Sequence, residues 1–478
     1  MSQTITEIDP KTLCLRINER SPEGGLFQGD RLNVHPDSHL PWRISPEPFW
    51  LTPDQHQFLV DLGPMLYRFY QASNLLYQQS VKGLQPGWIH RYLDAGKPDR
   101  TIDMGRMNRI KSHLPLVMRP DLLLTADGVR VTELDSVPGG IGFTGQISRL
   151  YEDLGYEIVG GGNGLVRGFY EAIRSSFPYD EPVVAIVVAD ESEAYRDEFE
   201  WLAAQLRDSD LPVYCCHPRD LHVDDDGILV ADGDTRTHVD VVYRFFELFD
   251  LANVPKAELI TYFSKKNAVR VTPPMKAYLE EKMWMALFHH PQLSAFWEME
   301  LGQDSWTSLR ELIPQTWILD STPAPPHMVI PDLTLHGRPV NSWDELKRCT
   351  KKERELVIKP SGFSELAYHS KGVTIGHDEP EQVWGEAVQA ALSSFPDNPY
   401  LLQTFKKAAR IEAHYYDFFN DTMRTMHGRA LLRPYYFVHD GEPQLAGMQA
   451  IVCPADKKIL HGMTDAALMP CAIASDKR

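Results

Sequence analysis

The sequence predicts a mixed α/β fold with α+β character, and two stretches of the chain carry that prediction. Residues 182–216 contain the buried-type strand PVVAIVVAD, an amphipathic helix and the second strand LPVYCCH. A strand–helix–strand order predicts a parallel sheet. Residues 409–452 contain ARIEAHYYDFF, RALLRPYYFV and QLAGMQAIV, which are typical of antiparallel strands. The chain is therefore expected to combine a parallel and an antiparallel sheet.

Length and composition narrow the class of protein. The chain has 478 residues, enough for two or three domains, with 43% hydrophobic and 24% charged residues. Its 48 basic and 66 acidic residues give a net charge of -18, which disfavours nucleic acid or an anionic membrane as a partner. No 18-residue apolar run or signal-peptide pattern occurs, and the six cysteines form no CxxC pair. We therefore expect a cytoplasmic enzyme without a zinc site.

The N-terminal third begins with an arm and continues into a long helix. Residues 1 to about 50 are rich in proline and polar residues. Within them, LPWRISPEPFWL (40–51) carries aromatic residues expected to pack on a neighbouring surface. Apolar residues at three- and four-residue spacing predict a helix over 53–80. A further helix is expected near 144–155.

Residues 119–140, RPDLLLTADGVRVTELDSVPGG, predict a β-hairpin that turns at Asp127-Gly128. Strand alternation places Glu133 and Asp135 on one face, and the fold-back brings Asp121 towards them. Three carboxylates on one face repel one another unless a cation neutralises them, and Mg²⁺ prefers oxygen ligands. Two interpretations remain open from the spacing: a solvated acidic hairpin edge, or a magnesium site.

The rest of the chain alternates strands and helices. The pattern predicts a Pro-rich connection over 321–331 and a short Ser-capped helix at SWDELKR. The other expected elements, in order, are a hairpin at 222–233, a strand at 238–246, a helix from 273 to 290, a helix at EPEQVWGEAVQAALSSF and a strand at YLLQTF (400–405).

The segment LVIKPSGFSELAYHSKGVTIG (356–376) predicts a strand, a loop and a second strand. Lys359 ends the first apolar strand, where an unpartnered lysine is rare. The loop carries Gly362 and Ser364 and closes at Gly372, so its backbone N–H groups can cover phosphates and the loop can act as a lid. The alternative is an exposed hairpin with a lysine that reaches solvent.

Four segments, in the same order along the chain, resemble the circularly permuted ATP-grasp family, especially the synthetase domain of glutathionylspermidine synthase. These segments are RPD…ELD, TPPMKAYLEEKMWMALF, LVIKPSGFSELAYHSKGV and NPYLLQTF. The likeness spans roughly residues 90–450 and is thin outside these segments. Asp135 stands where the family usually has Asn, and the lid contains fewer glycines than usual.

The resemblance implies an ATP-grasp fold in circularly permuted order with a Rossmann-like region that precedes the ATP-grasp core. It implies four domains: residues 1–95 (arm and helical region), 96–180 (first part of the core with the metal-binding hairpin), 181–270 (the Rossmann-like α/β region) and 271–478 (the nucleotide-binding region with its lid).

The resemblance also implies an ATP-dependent ligase that joins a carboxylate to an amine through an acyl phosphate. It assigns one or two Mg²⁺ ions to Asp121, Glu133 and Asp135. It assigns ATP to a larger set: the phosphates to Lys282 and Lys359, the lid to Gly362, Ser364 and Gly372, and the adenine side to Leu402 and Gln403.

Two arginines are candidates for the chemistry, and a third is open. Arg119 lies two residues before Asp121, on the same strand face, and its planar fork suits a transferring phosphoryl group. Arg433 and Arg244 lie in predicted strands, where either a cleft position or structural pairing is possible. We select Arg119 and Arg433 as the catalytic candidates.

Two other functions compete with this hypothesis. GIGFTG (140–145) is a literal G-x-G-x-x-G between a strand and a helix, the pattern of a dinucleotide-dependent oxidoreductase. However, the strand before it ends in carboxylates, which would repel a pyrophosphate. A non-catalytic Mg-ATP-binding or scaffold protein is the other alternative.

Overall fold

A computed structural model describes residues 8–21, 37–38, 40–322, 328–457, 460 and 465–474, and for 368–370 the backbone alone. Much of the predicted N-terminal arm and residues 323–327 of the Pro-rich connection lie outside the described residues. The α-helices follow in chain order: α1 (Pro10–Arg20), α2 (Pro53–Val81), α3 (Trp88–Asp94), α4 (Asp99–Gly105), α5 (Ile141–Asp153), α6 (Gly164–Ser176), α7 (Arg196–Arg207), α8 (Ala257–Lys266), α9 (Met283–His289), α10 (Ser294–Leu301), α11 (Gln303–Leu312) and α12 (Glu381–Ser393). Among these described helices, none has the length and apolar composition that a membrane span requires.

The largest sheet has seven strands and unites distant parts of the chain. Its order is β1-β20-β19-β18-β2-β3, with β17 paired to β18. The strands are β1 (Phe49–Leu51), β2 (Val117–Thr125), β3 (Gly128–Asp135), β17 (Ile411–Asp417), β18 (Thr422–His439), β19 (Glu442–Pro454) and β20 (Ala467–Ile473). They come from three of the four predicted domains. The antiparallel pairing of β17, β18 and β19 confirms the prediction for the C-terminal part.

A four-stranded parallel sheet forms the centre of residues 184–272. Its order is β10-β9-β4-β5, from β4 (Val184–Val188), β5 (Val213–Cys216), β9 (Val241–Phe245) and β10 (Arg270–Thr272). All four strands pair in parallel, and α7 connects β4 to β5, which confirms the predicted strand–helix–strand unit. A small antiparallel sheet follows β5, from β6 (His222–Val223), β7 (Ile228–Asp232) and β8 (Thr235–His238).

The third main sheet is antiparallel and has the order β11-β16-β14-β15. Its strands are β11 (Thr316–Leu319), β14 (Leu356–Pro360), β15 (Thr374–Ile375) and β16 (Tyr400–Thr404), and the separate pair β12 (Thr334–Leu335) and β13 (Arg338–Pro339) lies between β11 and β14 in sequence. Buried Trp384 of α12 belongs to the hydrophobic core of this sheet. The predicted strand–loop–strand segment and the strand at 400–405 are thereby confirmed.

Helix α2 begins at a capping box formed by Thr52 and Gln55, which confirms the predicted helix almost to the residue. The aromatic arm before it packs as expected: Trp42 is buried, with its ring 4.9 Å from that of Phe143. Helix α5 begins at Ile141, three residues before the predicted start.

The predicted continuous helix over 273–290 is wrong. The chain forms a 3₁₀ turn at Ala277–Glu280 and begins α9 only at Met283. Glu281 between them has an extended backbone, and its buried carboxylate pairs with Lys97 and accepts from Ser361 Oγ. A buried charge must be satisfied, so these contacts outweigh helix propensity at this point. The break places Lys282 directly before α9.

Candidate active site

The three main sheets border one cavity of about 610 Å³. One face of the large sheet forms its floor, β14 and β16 form one wall, and the loops after β4 and β9 contribute the opposite wall. Nine predicted site residues from five segments of the sequence line this cavity: Arg119, Asp121, Glu133, Asp135, Lys282, Lys359, Gly362, Gln403 and Arg433. The structure therefore brings together groups that are more than 300 positions apart in the chain.

The β2–β3 hairpin sets the spacing of the acidic groups. Asp121 lies opposite Glu133, and Arg119 lies opposite Asp135, with an irregularity in the register after Asp121. In-register neighbours on one sheet face have their side chains within direct reach of each other. The turn sets the register only as far as Leu122 opposite Val131, and the irregularity after it moves the pairing by one residue so that Asp121 faces Glu133.

Two arginines neutralise Asp121. Arg433 of β18 donates to Asp121 through Nε at 3.2 Å and Nη2 at 3.1 Å, a two-pronged pair. Arg119 donates to Asp121 Oδ1 at 3.1 Å and to Asp135 Oδ2 at 3.2 Å. The floor of the cavity thus carries a buried guanidinium group, Arg119, and a partly buried one, Arg433, both fixed by carboxylates.

Glu133 pairs with a lysine from another part of the chain. Lys282 Nζ lies 2.9 Å from Glu133 Oε1. Burial favours the neutral acid, but the Lys282 ammonium outweighs it and holds the pKa of Glu133 below its ordinary value. The Glu133 side chain is 38% exposed, against 29% for Asp135 and 9% for Asp121. Glu133 is therefore the carboxylate most open to the cavity.

Lys359 has neutral partners. Its ammonium donates to Gln403 Oε1 at 2.9 Å and to the Thr132 carbonyl at 2.7 Å. In the described part of the chain it forms no salt bridge with a carboxylate. Burial therefore lowers the pKa of Lys359 to about 8. A buried ammonium held by neutral acceptors is prepared to bind an anion.

The predicted three-carboxylate magnesium site is not assembled. Within the described residues, no group of three His, Cys, Asp or Glu side chains is placed to hold a metal ion. The reason is that Arg119 and Arg433 take the oxygens of Asp121, while Asp135 also accepts from Val137 N at 2.8 Å. The donor set still fits Mg²⁺ that arrives with phosphate ligands, because such an ion takes only one or two carboxylates. Glu133 and Asp135 are the residues for that role.

Three predicted nucleotide contacts lie outside the cavity lining. Leu402 points into the core of the third sheet, in the central strand β16, and is fully buried. Ser364 and Gly372 instead make hydrogen bonds within the loop: Ser364 Oγ accepts from Leu366 N, and Gly372 N donates to Leu366 O. The cavity is lined beyond Gln403 by residues 404–406 and 408, where the chain leaves β16.

Arg244 is a structural residue rather than a cleft residue. It is fully buried and donates to the carbonyls of Phe246, Pro273 and Pro274 and to Glu280. A guanidinium with this many acceptors joins β9 to the segment that follows β10. Its position at the end of a buried strand did not distinguish this role from a cleft position.

Glu198 is a cavity residue that the sequence did not reveal. It lies on α7, is 3% exposed, and accepts from Gly140 N at 2.6 Å and Phe143 N at 3.1 Å. Burial raises its pKa to about 7. Its i, i+4 spacing from buried Leu202 was the available signal. Because this carboxylate occupies the N-terminus of α5, the GIGFTG turn is not free to bind a pyrophosphate.

The fold is similar to that of a solved glutathione synthetase-like protein. A glutathione synthetase-like effector from Globodera pallida, in its apo form, superimposes with a TM-score of 0.53 at 13% identity, over 98% of this chain and 98% of that chain. The two chains share a fold. A putative gamma-glutamylcysteine synthetase from Methylobacillus flagellatus gives a TM-score of 0.40 at 10% identity, over 77% of this chain and 88% of that chain. No family model and no curated protein matches the sequence.

Proposed function

We propose that this protein is an ATP-dependent ligase that joins a carboxylate to an amine, of the circularly permuted ATP-grasp type. The observation that carries the proposal is the convergence of Lys282, Lys359, Arg119 and Arg433 on the acidic hairpin within one cavity. Phosphoryl transfer needs positioned positive charge more than covalent help from the protein. The likeness to a synthetase-like fold over nearly the whole chain supports the ligase class.

The phosphates of ATP would lie between the two lysines. Lys282 and Lys359 lie on adjoining segments, since Lys282 N donates to the Ser361 carbonyl. Both reach the β3 strand, through Glu133 and the Thr132 carbonyl respectively. The adenine would lie along β14 and β16, where Val357 and Gln403 line the cavity. The loop after Lys359 would close over the nucleotide and exclude water.

The arginines would orient the acid. A carboxylate oxygen of the substrate attacks the γ-phosphorus, the bond to the β-phosphate oxygen breaks, and ADP leaves. Arg119 and Arg433 would stabilise the negative charge on the transferring group, because their forks are already held in place by Asp121. Mg²⁺ held by Glu133 and Asp135 would neutralise phosphate charge.

The amine would then complete the reaction. Its nitrogen attacks the acyl carbon, the bond to the phosphate oxygen breaks, inorganic phosphate leaves, and the nitrogen releases a proton. The wall opposite the lysines carries the buried carboxylate of Glu198 beside Tyr195. Because its pKa is about 7, the Glu198 side chain is partly ionised near neutral pH, and its carboxylate form can accept that proton.

The proposal is tested by release of ADP and phosphate from Mg-ATP, measured over acids paired with amines. Glu133→Ala and Lys359→Ala are expected to abolish this release while circular dichroism shows an intact fold. Glu298→Gln, an exposed change on α10, is the matched control and keeps the wild-type rate. Wild-type rates in both site variants would refute the site assignment.

A non-catalytic Mg-ATP-binding protein is the second candidate. It is favoured by one observation: the three predicted metal ligands, Asp121, Glu133 and Asp135, each pair with an arginine or lysine of the protein itself. Such a protein binds Mg-ATP, loses that binding in Lys359→Ala, and releases no ADP with any acid and amine. Release that depends on both substrates excludes it.

A further inference from the structure

The cavity floor carries polar groups that the proposed chemistry does not use. Gln449 of β19 is 3% exposed and lines the cavity. Among the described residues, its side-chain amide makes no hydrogen bond. Buried amides are almost always satisfied, because an unpaired one costs stability. An unpartnered amide that faces a cavity therefore indicates a ligand group.

Arg429 is the second unused group. It lines the same cavity, four residues before Arg433 on β18. Its Nη2 donates to the Lys457 carbonyl, and its buried Nε has no partner. No carboxylate of the described residues forms a salt bridge with it. Its positive charge is therefore available to an anion.

The strands place these two groups at opposite ends of an apolar strip. Gln449 pairs in register with Arg433, next to the ion pairs of the reaction centre. Arg429 lies about 13 Å away along β18 at the usual rise per residue. Between them, three cavity-lining residues from neighbouring strands form an apolar row: Leu431, Ile451 and Leu468.

We propose that this floor strip, Arg429 to Gln449, binds the acyl substrate and selects an elongated acid that carries a second anionic group. Gln449 hydrogen-bonds the substrate beside its reacting carboxylate, the apolar row contacts the chain, and Arg429 pairs with the distant anion. The free cation at Arg429 disfavours the amine substrate at this end. The assignment of the near end to the reacting carboxylate rests on the proposed ligase function.

The experiment uses linear dicarboxylic acids from glutarate to sebacate, each compared with its monoamide. In Mg-ATP-dependent ADP release with hydroxylamine as the amine, wild type is expected to favour the best diacid at least tenfold in kcat/KM. In Arg429→Gln this preference is expected to disappear, because kcat/KM falls for the diacid and stays the same for the monoamide. Gln449→Leu lowers kcat/KM for the diacid and the monoamide alike.

A control and a binding measurement separate this proposal from the ligase function. Arg424→Gln changes an arginine of the same strand that pairs with Asp417, and it keeps the diacid preference. Calorimetric titration without nucleotide measures the Kd of each diacid directly. It therefore tests binding to the floor strip even when no ADP is released. Diacid binding that is at least tenfold weaker in Arg429→Gln supports the strip even if ligation fails. Equal binding in wild type and Arg429→Gln, or no binding to wild type, overturns it.

Discussion

Single residues in this cavity combine burial with charge, and burial determines when each of them is ionised. Lys359 and Glu198 are both nearly inaccessible to solvent, and burial moves their pKa values in opposite directions, towards the neutral form. Both values, about 8 and about 7, lie close to neutral pH. The site is therefore expected to respond to pH within the range where the protein is folded.

Nucleotide affinity is expected to fall above pH 8. Lys359 loses its proton there in the free protein, and phosphates bind the charged form, so the Kd of Mg-ADP should rise about tenfold per pH unit. Titration calorimetry between pH 7 and pH 9.5 measures this. Lys359→Arg keeps its charge and should shift the fall to higher pH. The same pH dependence in Lys359→Arg would exclude Lys359 as the titrating group.

Stability is expected to decrease as pH rises through neutrality because of Glu198. Its folded pKa of about 7 lies above the ordinary value of 4.5, so the folded state binds more protons between these values. The stabilising contribution is complete below about pH 4.5 and is lost as pH rises through about 7, by up to about 3 kcal/mol.

The variant Glu198→Gln removes the titrating group while it keeps an acceptor for the N-terminus of α5. Chemical unfolding at pH 5 and pH 8 should then show a smaller difference in the free energy of unfolding than in wild type. Glu200→Gln, two residues along the same helix, is the control, and it should retain the wild-type difference. An unchanged difference in Glu198→Gln would contradict the assignment.

At the scale of elements, the hairpin joins a tight turn at one end to the acidic site at the other, with a one-residue register shift between them. Gly128 has a φ of +100°, which L-residues with a side chain rarely adopt. The turn sets the register of the hairpin from Thr125–Gly128 to Leu122–Val131, and a one-residue shift beyond it places Asp121 opposite Glu133. The turn is exposed, so backbone conformation rather than packing accounts for the glycine.

Gly128→Ala is expected to lower the free energy of unfolding by about 1–2 kcal/mol, because alanine is strained at this backbone angle. The turn is remote from the carboxylates, so Mg-ATP affinity of the folded variant should stay within twofold of wild type. Gly227→Ala is the control, since that glycine has no positive φ and a Cβ there would make only an ordinary contact with His238. Equal loss of stability in both variants would argue against backbone strain.

Over the whole molecule, the cavity joins the large sheet to the third sheet, one face of which packs in a hydrophobic core of its own. Its floor belongs to the large sheet, whereas Lys359 belongs to the third sheet and Lys282 to the segment before α9. A ligand that contacts the floor and both lysines binds the folded state and not the unfolded state, and it therefore stabilises the protein. Mg²⁺ and nucleotide should also assist each other, because the Glu133–Lys282 pair must be shared between them.

Thermal unfolding is expected to show this mutual effect. Mg²⁺ with ADP should stabilise the protein by about 2.7 kcal/mol at 100 times the Kd, and more than the sum of either ligand alone. In Glu133→Ala the stabilisation by Mg²⁺ and ADP together should equal the sum of their separate effects. In this variant Lys282 has no Glu133 carboxylate to release before it binds phosphate. Additive effects of Mg²⁺ and ADP in wild type would contradict the shared pair.

The local sequence was enough to predict several structural elements and many candidate residues. The Asp127-Gly128 turn predicted the hairpin, and apolar runs predicted the parallel sheet, the strand ending at Lys359 and the strand containing Gln403. These signals are short-range, because periodicity and turn chemistry act over a few residues. The resemblance added Lys282, although the helix predicted around it is broken. The roles of these residues, the four-domain division and the permuted order stay predictions.

Only the tertiary structure decided how the charges are shared. The sequence placed three carboxylates on one hairpin, but the fold brought Arg433 and Lys282 against them and so assembled ion pairs instead of a three-carboxylate metal site. Arg429 and Gln449 had no signal in the sequence, and Glu198 had only its helical spacing from Leu202, since their environment comes from distant segments. Strand alternation and turn signals act locally, whereas burial and pairing of a charge depend on which distant groups the fold brings within a few ångströms.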